Sequence, residues 1–137
     1  MDPNPDTKTM SERDYVNVRY MVADVEQAHE FYTKVLGFQP RMNNAPAFAD
    51  VTLGSLRLLL SGPTSSAGRP MPDGVVPEPG GWNRIHLIVD DIEWSIAHLR
   101  DKGVQFRNEI VTGPGGSQIL IKDPSGNLIE LFQPAAR

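Results

Sequence analysis

The chain has 137 residues, with 13 lysines and arginines against 17 aspartates and glutamates, and it contains no cysteine. This length suits one domain with a substantial core, and the net charge of -4 argues against a nucleic-acid partner, which would need a clustered basic face. The lack of cysteine excludes disulfides, thiolate metal sites and a cysteine nucleophile. It is typical of a reducing compartment, so the cytoplasm is the expected location.

The beginning of the chain, MDPNPDTKTMSER, is polar. It lacks the apolar segment of a signal peptide, so residues 1–13 are predicted to form a flexible arm. No apolar run approaches the roughly 20 residues of a membrane helix, which favours a soluble protein without a membrane partner. Residues 14–133 are predicted to form one domain, and residues 134–137 a short tail.

Two segments of the chain repeat one pattern, YMVADVEQAHEFYTKVLGFQP at residues 20–40 and HLIVDDIEWSIAHLRDKGVQF at residues 86–106. Each passes from an apolar run through Val-x-Asp-(Val/Ile)-Glu into a helical pattern and then reaches a glycine. Asp24 and Asp91 are predicted to cap the two helices, and Gly37 and Gly103 to end them in the left-handed conformation. The pattern indicates an internal duplication.

Strand-like segments follow each predicted helix. In the first copy they are FQPRM, AFADVTL and LRLLLSG, and in the second they are VQFRNEIV, SQILIKD and NLIELF. Gly54-Ser55 and the glycine-rich residues 113–116 are predicted hairpin loops. Each copy is therefore predicted to run strand, helix and three strands, over residues 14–62 and 83–133.

A connector at residues 63–82 joins the two copies and is rich in proline and glycine. A loop of this length is usually either functional or disordered. Its apolar residues favour a flap over a pocket, with a disordered crossing as the alternative: Met71, Val75, Val76 and Trp82.

The repeated modules resemble the vicinal oxygen chelate superfamily, which includes glyoxalase I, extradiol dioxygenases, fosfomycin resistance enzymes and bleomycin resistance proteins. The resemblance lies in Val-x-Asp-Val-Glu…Phe-Tyr…Leu-Gly-Phe at residues 22–38 and Asp-Pro-Ser-Gly-Asn…Glu-Leu at residues 123–131. It implies an α+β fold in which two tandem βαβββ modules form a curved mixed sheet around a cleft, with the helices outside. It also implies a homodimer.

In the metal-dependent enzymes of that superfamily, matching positions of the modules hold a divalent cation. The resemblance places those positions at Asn17, Leu59, Arg84 and Glu130. Only Glu130 is a residue of the expected kind, and a carboxylate with an amide, a leucine and a guanidinium is a poor donor set. We therefore expect no metal or other cofactor, and we expect Arg84 to pair with Glu130 where a cation would lie.

Strand alternation extends the predicted ligand-binding face, which is expected to be mainly apolar. Arg19 is a candidate for binding an anionic or carbonyl group, with an ion pair to a neighbouring acid as the alternative. Trp82 is a candidate for stacking on a flat ligand, with packing alone as the alternative. His29 and His98 are predicted at the surface, and Trp94 in helix-to-sheet or subunit packing. The predicted ligand-binding residues are Asn17, Arg19, Met21, Phe48, Leu59, Trp82, Arg84, His86, Glu130 and Phe132.

These features favour a metal-independent protein that binds an apolar or aromatic small molecule, such as a natural product or an antibiotic, in clefts shared by a homodimer. The alternative is an enzyme of the lyase, isomerase or dioxygenase type. It would use Glu130 and His86 as catalytic residues, with or without a divalent metal. A third hypothesis is a partner-binding or regulatory module with a vestigial cleft.

Overall fold

The computed structural model describes residues 10–136, so most of the predicted arm and Arg137 lie outside the described residues. The first module contains β1 (Val16–Met21), α1 (Val25–Glu30), β2 (Gln39–Asn44), β3 (Phe48–Leu53) and β4 (Leu56–Ser61). The second contains β5 (Ile85–Ile88), α2 (Ile92–Asp101), β6 (Gln105–Phe106), β7 (Val111–Gly113), β8 (Gly116–Lys122) and β9 (Leu128–Pro134). Neither of these helices has the length and apolar character to span a membrane.

The predicted helix caps are confirmed. The Asp24 carboxylate accepts a hydrogen bond from the backbone N–H of Gln27 at 3.0 Å, and Asp91 accepts one from Trp94 at 3.0 Å. The glycines that follow the helices have positive φ angles, 80° at Gly37 and 78° at Gly103. The first helix differs from a regular α-helix because it continues after α1 as a π-helical turn at Phe31–Val35.

Each module forms its own mixed sheet. The strand order is β1-β4-β3-β2 in the first sheet and β5-β9-β8-β6 in the second, where β7 also pairs with β8. The α+β class and the two βαβββ modules are confirmed, but two sheets replace the single curved sheet that we predicted. The predicted strand VQFRNEIV is interrupted between β6 and β7: the N–H of Arg107 still donates to the carbonyl oxygen of Leu120 at 2.8 Å, but the N–H of Leu120 then donates to the Asn108 side chain.

The core lies between each sheet and its own helix, and strand alternation directs the remaining side chains to the opposite side, which we call the open face. The core residues are Val25, Ala28, Tyr32, Ala49, Val51, Leu58 and Leu60 in the first module, and Ile92, Ile96, Leu99, Ile119, Ile121 and Ile129 in the second. The open faces carry Asn17, Arg19, Met21, Phe48, Asp50, Arg57, Leu59 and Ser61 in the first module, and Arg84, His86, Leu120, Glu130 and Phe132 in the second.

The turn at residues 123–127 attaches the second module to the first. The hydroxyl of Tyr32 donates to Oδ2 of Asp123 at 2.8 Å, and Nδ2 of Asn127 donates to the carbonyl oxygen of Met21 at 2.8 Å. Asp123 and Asn127 are both buried. The turn formers that were recognised in the sequence therefore also supply hydrogen bonds between the modules.

Tyr20 of β1 provides a second connection between the modules. Its buried hydroxyl donates to the carbonyl oxygen of Leu128 at 2.6 Å and accepts from the N–H of Ile85 at 2.8 Å. Burial is the main reason that the pKa of Tyr20 is raised to about 12. One hydroxyl thus satisfies backbone groups at the beginning of both β5 and β9.

Replacing Tyr20 by phenylalanine keeps the ring and removes these hydrogen bonds. Because the N–H of Ile85 and the carbonyl of Leu128 then lose their buried partner, the free energy of unfolding should fall by on the order of 2 to 4 kcal/mol. Urea denaturation measures the change. Tyr15→Phe, in the same module but outside this contact, is the control, and equal small losses in both variants would contradict the assignment.

The raised pKa of Tyr20 predicts a loss of stability at alkaline pH. A tyrosine in the unfolded chain loses its proton at about pH 10, whereas Tyr20 in the folded protein keeps its proton until about pH 12. Between these pH values the unfolded state binds fewer protons than the folded state, so a rise in pH favours unfolding. The stabilisation is complete below about pH 10 and decreases by at most about 2.7 kcal/mol towards pH 12. Urea titrations at increasing pH should therefore show that the difference in unfolding free energy between the native protein and Tyr20→Phe becomes smaller above about pH 10. A difference that stays constant with pH would contradict the raised pKa of Tyr20.

Candidate functional site

Glu130 lies in the middle of the second open face. It is opposite His86 on β5 and Leu120 on β8, and only 7% of its surface is exposed. Arg84 donates to Oε1 of Glu130 from Nε at 3.0 Å and from Nη2 at 2.8 Å. The predicted pair of Arg84 and Glu130 is therefore confirmed, and its charge-assisted hydrogen bonds neutralise a nearly buried carboxylate.

The second oxygen of Glu130 faces His86. Nε2 of His86 is 3.4 Å from Oε2 of Glu130, and the imidazole ring is 4.9 Å from the ring of Phe132. The His86 side chain is 46% exposed, so it can be reached from solvent. This arrangement can hold a hydrogen-bonding group of a ligand or transfer a proton between the imidazole and the carboxylate.

Trp82 lies beside this group at the end of the connector. Its carbonyl oxygen accepts a hydrogen bond from Nη1 of Arg84 at 3.3 Å, and the guanidinium carbon of Arg107 is 5.5 Å from the centre of its ring. The indole is nevertheless 65% exposed. Trp82 therefore makes a cation–π contact with Arg107 and still exposes enough of its indole to stack on a flat ligand.

The first open face contains a buried carboxylate that we did not predict, Asp50. Its Oδ2 accepts hydrogen bonds from Nη1 of Arg41 at 2.7 Å and from Nε of Arg57 at 2.6 Å, and the bond to Asp50 is the main reason that the pKa of Arg41 is raised. The alternation in AFADVTL could have revealed it, because Ala49 and Val51 are core residues and Asp50 must point the other way. This face is therefore more polar than predicted, although Met21, Phe48 and Leu59 also lie on it.

Asn17 holds the beginning of the described chain. Its Nδ2 donates to the carbonyl oxygens of Glu12 at 2.9 Å and Tyr15 at 3.2 Å, and its Oδ1 accepts from Nη1 of Arg57 at 3.1 Å. Residues 12–14 form a 3-10 turn there, so the last part of the predicted flexible arm is attached to the first module. The amide of Asn17 is occupied by the protein itself.

Arg19 and Phe48 line a groove of about 430 Å³ on the first module, together with the first residues of the connector. Nη1 of Arg19 donates to Oγ of Ser61 at 2.9 Å. Met21 and Leu59 are half-buried on the same open face. The groove itself thus combines a guanidinium with the aromatic ring of Phe48 and with small side chains, and Met21 and Leu59 lie outside its lining.

The predicted site residues fall into two groups rather than one. Trp82, Arg84, His86, Glu130 and Phe132 belong to the second module, and Asn17, Arg19, Met21, Phe48 and Leu59 to the first. The groove that contains Arg19 is lined only by the first module and the connector, and the cavity that contains Phe132 is lined only by the second module. The structure brings each group together separately.

The positions that the resemblance assigns to a metal do not supply a suitable donor set. Leu59 has no donor atom, the Asn17 amide is hydrogen-bonded within the protein, and Arg84 places a positive charge against Glu130. Within residues 10–136, no three histidine, aspartate or glutamate side chains are grouped closely enough to hold a metal ion. These residues therefore do not fit a divalent-cation site.

The connector is attached at both ends. The N–H of Gly62 donates to the carbonyl oxygen of Ala47 at 2.9 Å, and the N–H of Gly80 donates to Oδ1 of Asn127 at 2.8 Å. Its middle differs from the predicted flap, because the apolar side chains there are exposed and line neither the Arg19 groove nor the Phe132 cavity: Met71, Val75 and Val76.

The predictions for the remaining histidines and for Trp94 need correction. His29 is half-buried, and its Nε2 is buried without a hydrogen-bond partner in the described chain. His98 is also half-buried because it stacks on Trp94, with ring centres 4.8 Å apart. Trp94 is 62% exposed and stacks on His98 of its own helix, so it is not buried between helix and sheet, and packing against a second subunit stays a prediction.

Comparison with known proteins gives one family. The profile of the Glyoxalase/Bleomycin resistance protein/Dioxygenase superfamily matches residues 14–131. Comparison with curated proteins gave no match. The chain is also similar to a solved member of this superfamily from Sphaerobacter thermophilus, with 28% identity and a TM-score of 0.70 over 87% of this chain and 95% of that one.

Two further solved structures share the fold at lower identity. The antibiotic-binding protein TnmS3 from Streptomyces sp. CB03234 is 24% identical, with a TM-score of 0.67 over 94% of this chain and 100% of that one. Lactoylglutathione lyase from Agrobacterium tumefaciens is 19% identical, with a TM-score of 0.68 over 85% of this chain and 90% of that one. A binding protein and a lyase therefore have the same fold as this chain.

Replacing Arg84 by methionine leaves the Glu130 carboxylate nearly buried without its main partner. We expect the free energy of unfolding to fall by about 1 to 3 kcal/mol, since the unpaired charge keeps its desolvation penalty. The double variant Arg84→Met/Glu130→Gln should recover part of this loss because it removes the charge. Urea denaturation of both single variants and the double variant tests the coupling, and strictly additive losses would contradict it.

Proposed function

Since the chain belongs to the Glyoxalase/Bleomycin resistance protein/Dioxygenase superfamily, we propose that it is a metal-independent small-molecule-binding protein of the bleomycin-resistance type. The observation that carries this proposal is the pair of Arg84 and Glu130. In this pair a guanidinium takes the place that the family resemblance assigns to a cation. Recognition would then depend on shape, stacking and hydrogen bonds rather than on a Lewis acid.

Aromatic and apolar side chains on both open faces support a flat or apolar ligand, for example a natural product or an antibiotic. Trp82 is largely exposed and Phe132 lies against His86 on the second face. On the first face, Phe48 borders the Arg19 groove. The existence of an antibiotic-binding protein with this fold agrees with the proposal.

We further propose that the protein acts as a homodimer. Each open face borders its own cavity within one chain, so a face from a second copy would be needed to enclose a ligand between two sheets. Exposed apolar residues on the outermost strands of the sheets, Val16 on β1 and Ile88 on β5, are available for such an association. A cytoplasmic location stays a prediction from the sequence.

An enzyme is the second candidate function, favoured by the contact between His86 and Glu130. The 3.4 Å separation of Nε2 and Oε2 would allow proton transfer to or from a substrate, with the Arg84 guanidinium polarising a carbonyl group. This candidate requires a reaction that Glu130→Gln abolishes. The binding proposal requires no turnover.

Titration with a panel of polycyclic aromatic antibiotics tests the binding proposal. In a Trp94→Phe background, Trp82 is the remaining tryptophan, and its fluorescence should be quenched when a ligand stacks on the indole. Trp82→Ala should weaken binding roughly tenfold through loss of one stacked ring, as measured by isothermal titration calorimetry.

Two results would count against this function. Uniformly absent binding across the panel would argue against sequestration of aromatic compounds. Stoichiometric divalent metal in protein purified without chelator would argue against metal independence, and elemental analysis of the same preparation detects it.

A further inference from the structure

Three arginines lie on or beside the first open face, and two of them are neutralised within the protein. Arg41 and Arg57 share the buried carboxylate of Asp50. A second carboxylate, that of Glu12, also approaches both arginines: its Oε1 is 3.6 Å from Nη2 of Arg41 and 4.0 Å from Nη2 of Arg57. Two cations and two carboxylates therefore form a balanced network at one end of the face.

Arg19 lies outside this network. Within residues 10–136 no carboxylate lies within ion-pair distance of its guanidinium, and its hydrogen-bond partner is the hydroxyl of Ser61, which is completely buried. This single bond orients the guanidinium and leaves most of its N–H donors available. The sequence-based alternative, an ion pair with a neighbouring acid, is not what the structure shows.

Part of the wall of the groove is formed by the turn at residues 62–68. Oγ of Ser65 donates to the carbonyl oxygen of Gly62 at 2.7 Å and accepts from the N–H of Gly68 at 3.2 Å. A Cβ atom on Gly68 would be only 2.5 Å from that carbonyl oxygen, so the backbone is as close as glycine permits. The wall is thus ordered before a ligand arrives, which lowers the entropic cost of binding.

Apolar residues lie next to the free guanidinium on one side: Phe48 lines the groove with it. Leu59 is opposite Arg19 in the register of β1 and β4, and Met21 and Phe48 both flank Ser61 in the sheet. The protein carries a net charge of -4, so a locally positive groove is a specific feature rather than a consequence of composition. A planar anion attached to an aromatic body matches both parts of this surface, since guanidinium groups bind carboxylates with two parallel hydrogen bonds.

We propose that the ligand is an aromatic carboxylate and that Arg19 binds its carboxylate group while the ring system lies against Phe48. This inference rests on the proposed small-molecule-binding function and specifies the charge of the ligand. Arg19 then recognises the carboxylate of the ligand, and the network around Asp50 keeps the neighbouring surface neutral.

A pair of probes of equal shape and different charge tests the proposal. We expect β-naphthoate to bind the native protein at least about tenfold more tightly than β-naphthamide, because a charge-assisted bond replaces a neutral one. Arg19→Met should remove this preference by weakening naphthoate roughly tenfold to a hundredfold, and Arg19→Lys should keep part of it. Isothermal titration calorimetry gives the affinities.

Arg100→Met is the matched control, because it changes the net charge equally but lies on α2, where the arginine stacks on Phe106. It should keep the naphthoate preference. Equal affinity of the native protein for both probes, or a preference that survives Arg19→Met, would overturn the role of Arg19 and leave the proposed function intact. If neither probe binds and the antibiotic panel also fails, both the proposed function and this inference are overturned.

Discussion

Buried hydrogen bonds hold the two modules together, and most of them come from one turn, at residues 123–127. Asp123 and Asn127 reach the first module through Tyr32 and the backbone of Met21, and the same Asn127 holds the end of the connector through Gly80. Because these polar groups are buried, each needs its partner. Together with Tyr20, the turn therefore holds the second open face, including Glu130, against the first module.

Much of the fold could be predicted because it depends on local patterns. Helix caps at Asp24 and Asp91 follow from short-range chemistry, and the pair of Arg84 and Glu130 follows from strand parity once the modules are aligned. The interruption between β6 and β7 could not be predicted, since there a side chain, Asn108, replaces backbone pairing. The separation of the site residues into two groups could not be predicted either. It depends on how the two modules pack together, and the hydrophobic periodicity of the sequence carries no information about that.

The two open faces balance their charges in related ways. Each contains one nearly or completely buried carboxylate, Glu130 or Asp50, and each carboxylate receives its hydrogen bonds from arginine. The family resemblance assigns a metal-ligand position to Leu59 on β4. The carboxylate of the first module is instead that of Asp50, which is opposite Leu59 on the neighbouring strand β3. Hydrogen-bonded arginines offset the large desolvation penalty that either carboxylate would otherwise carry.

The connection made by Tyr20 also bears on how the chain folds. Its hydroxyl bonds to Leu128 across 108 positions of sequence, and the bonds of Tyr32 and Asn127 span 91 and 106 positions. Such contacts raise the contact order, because a long loop must close before they form. Because these long-range contacts must form to join the modules, we expect the protein to fold more slowly than a helical domain of the same length.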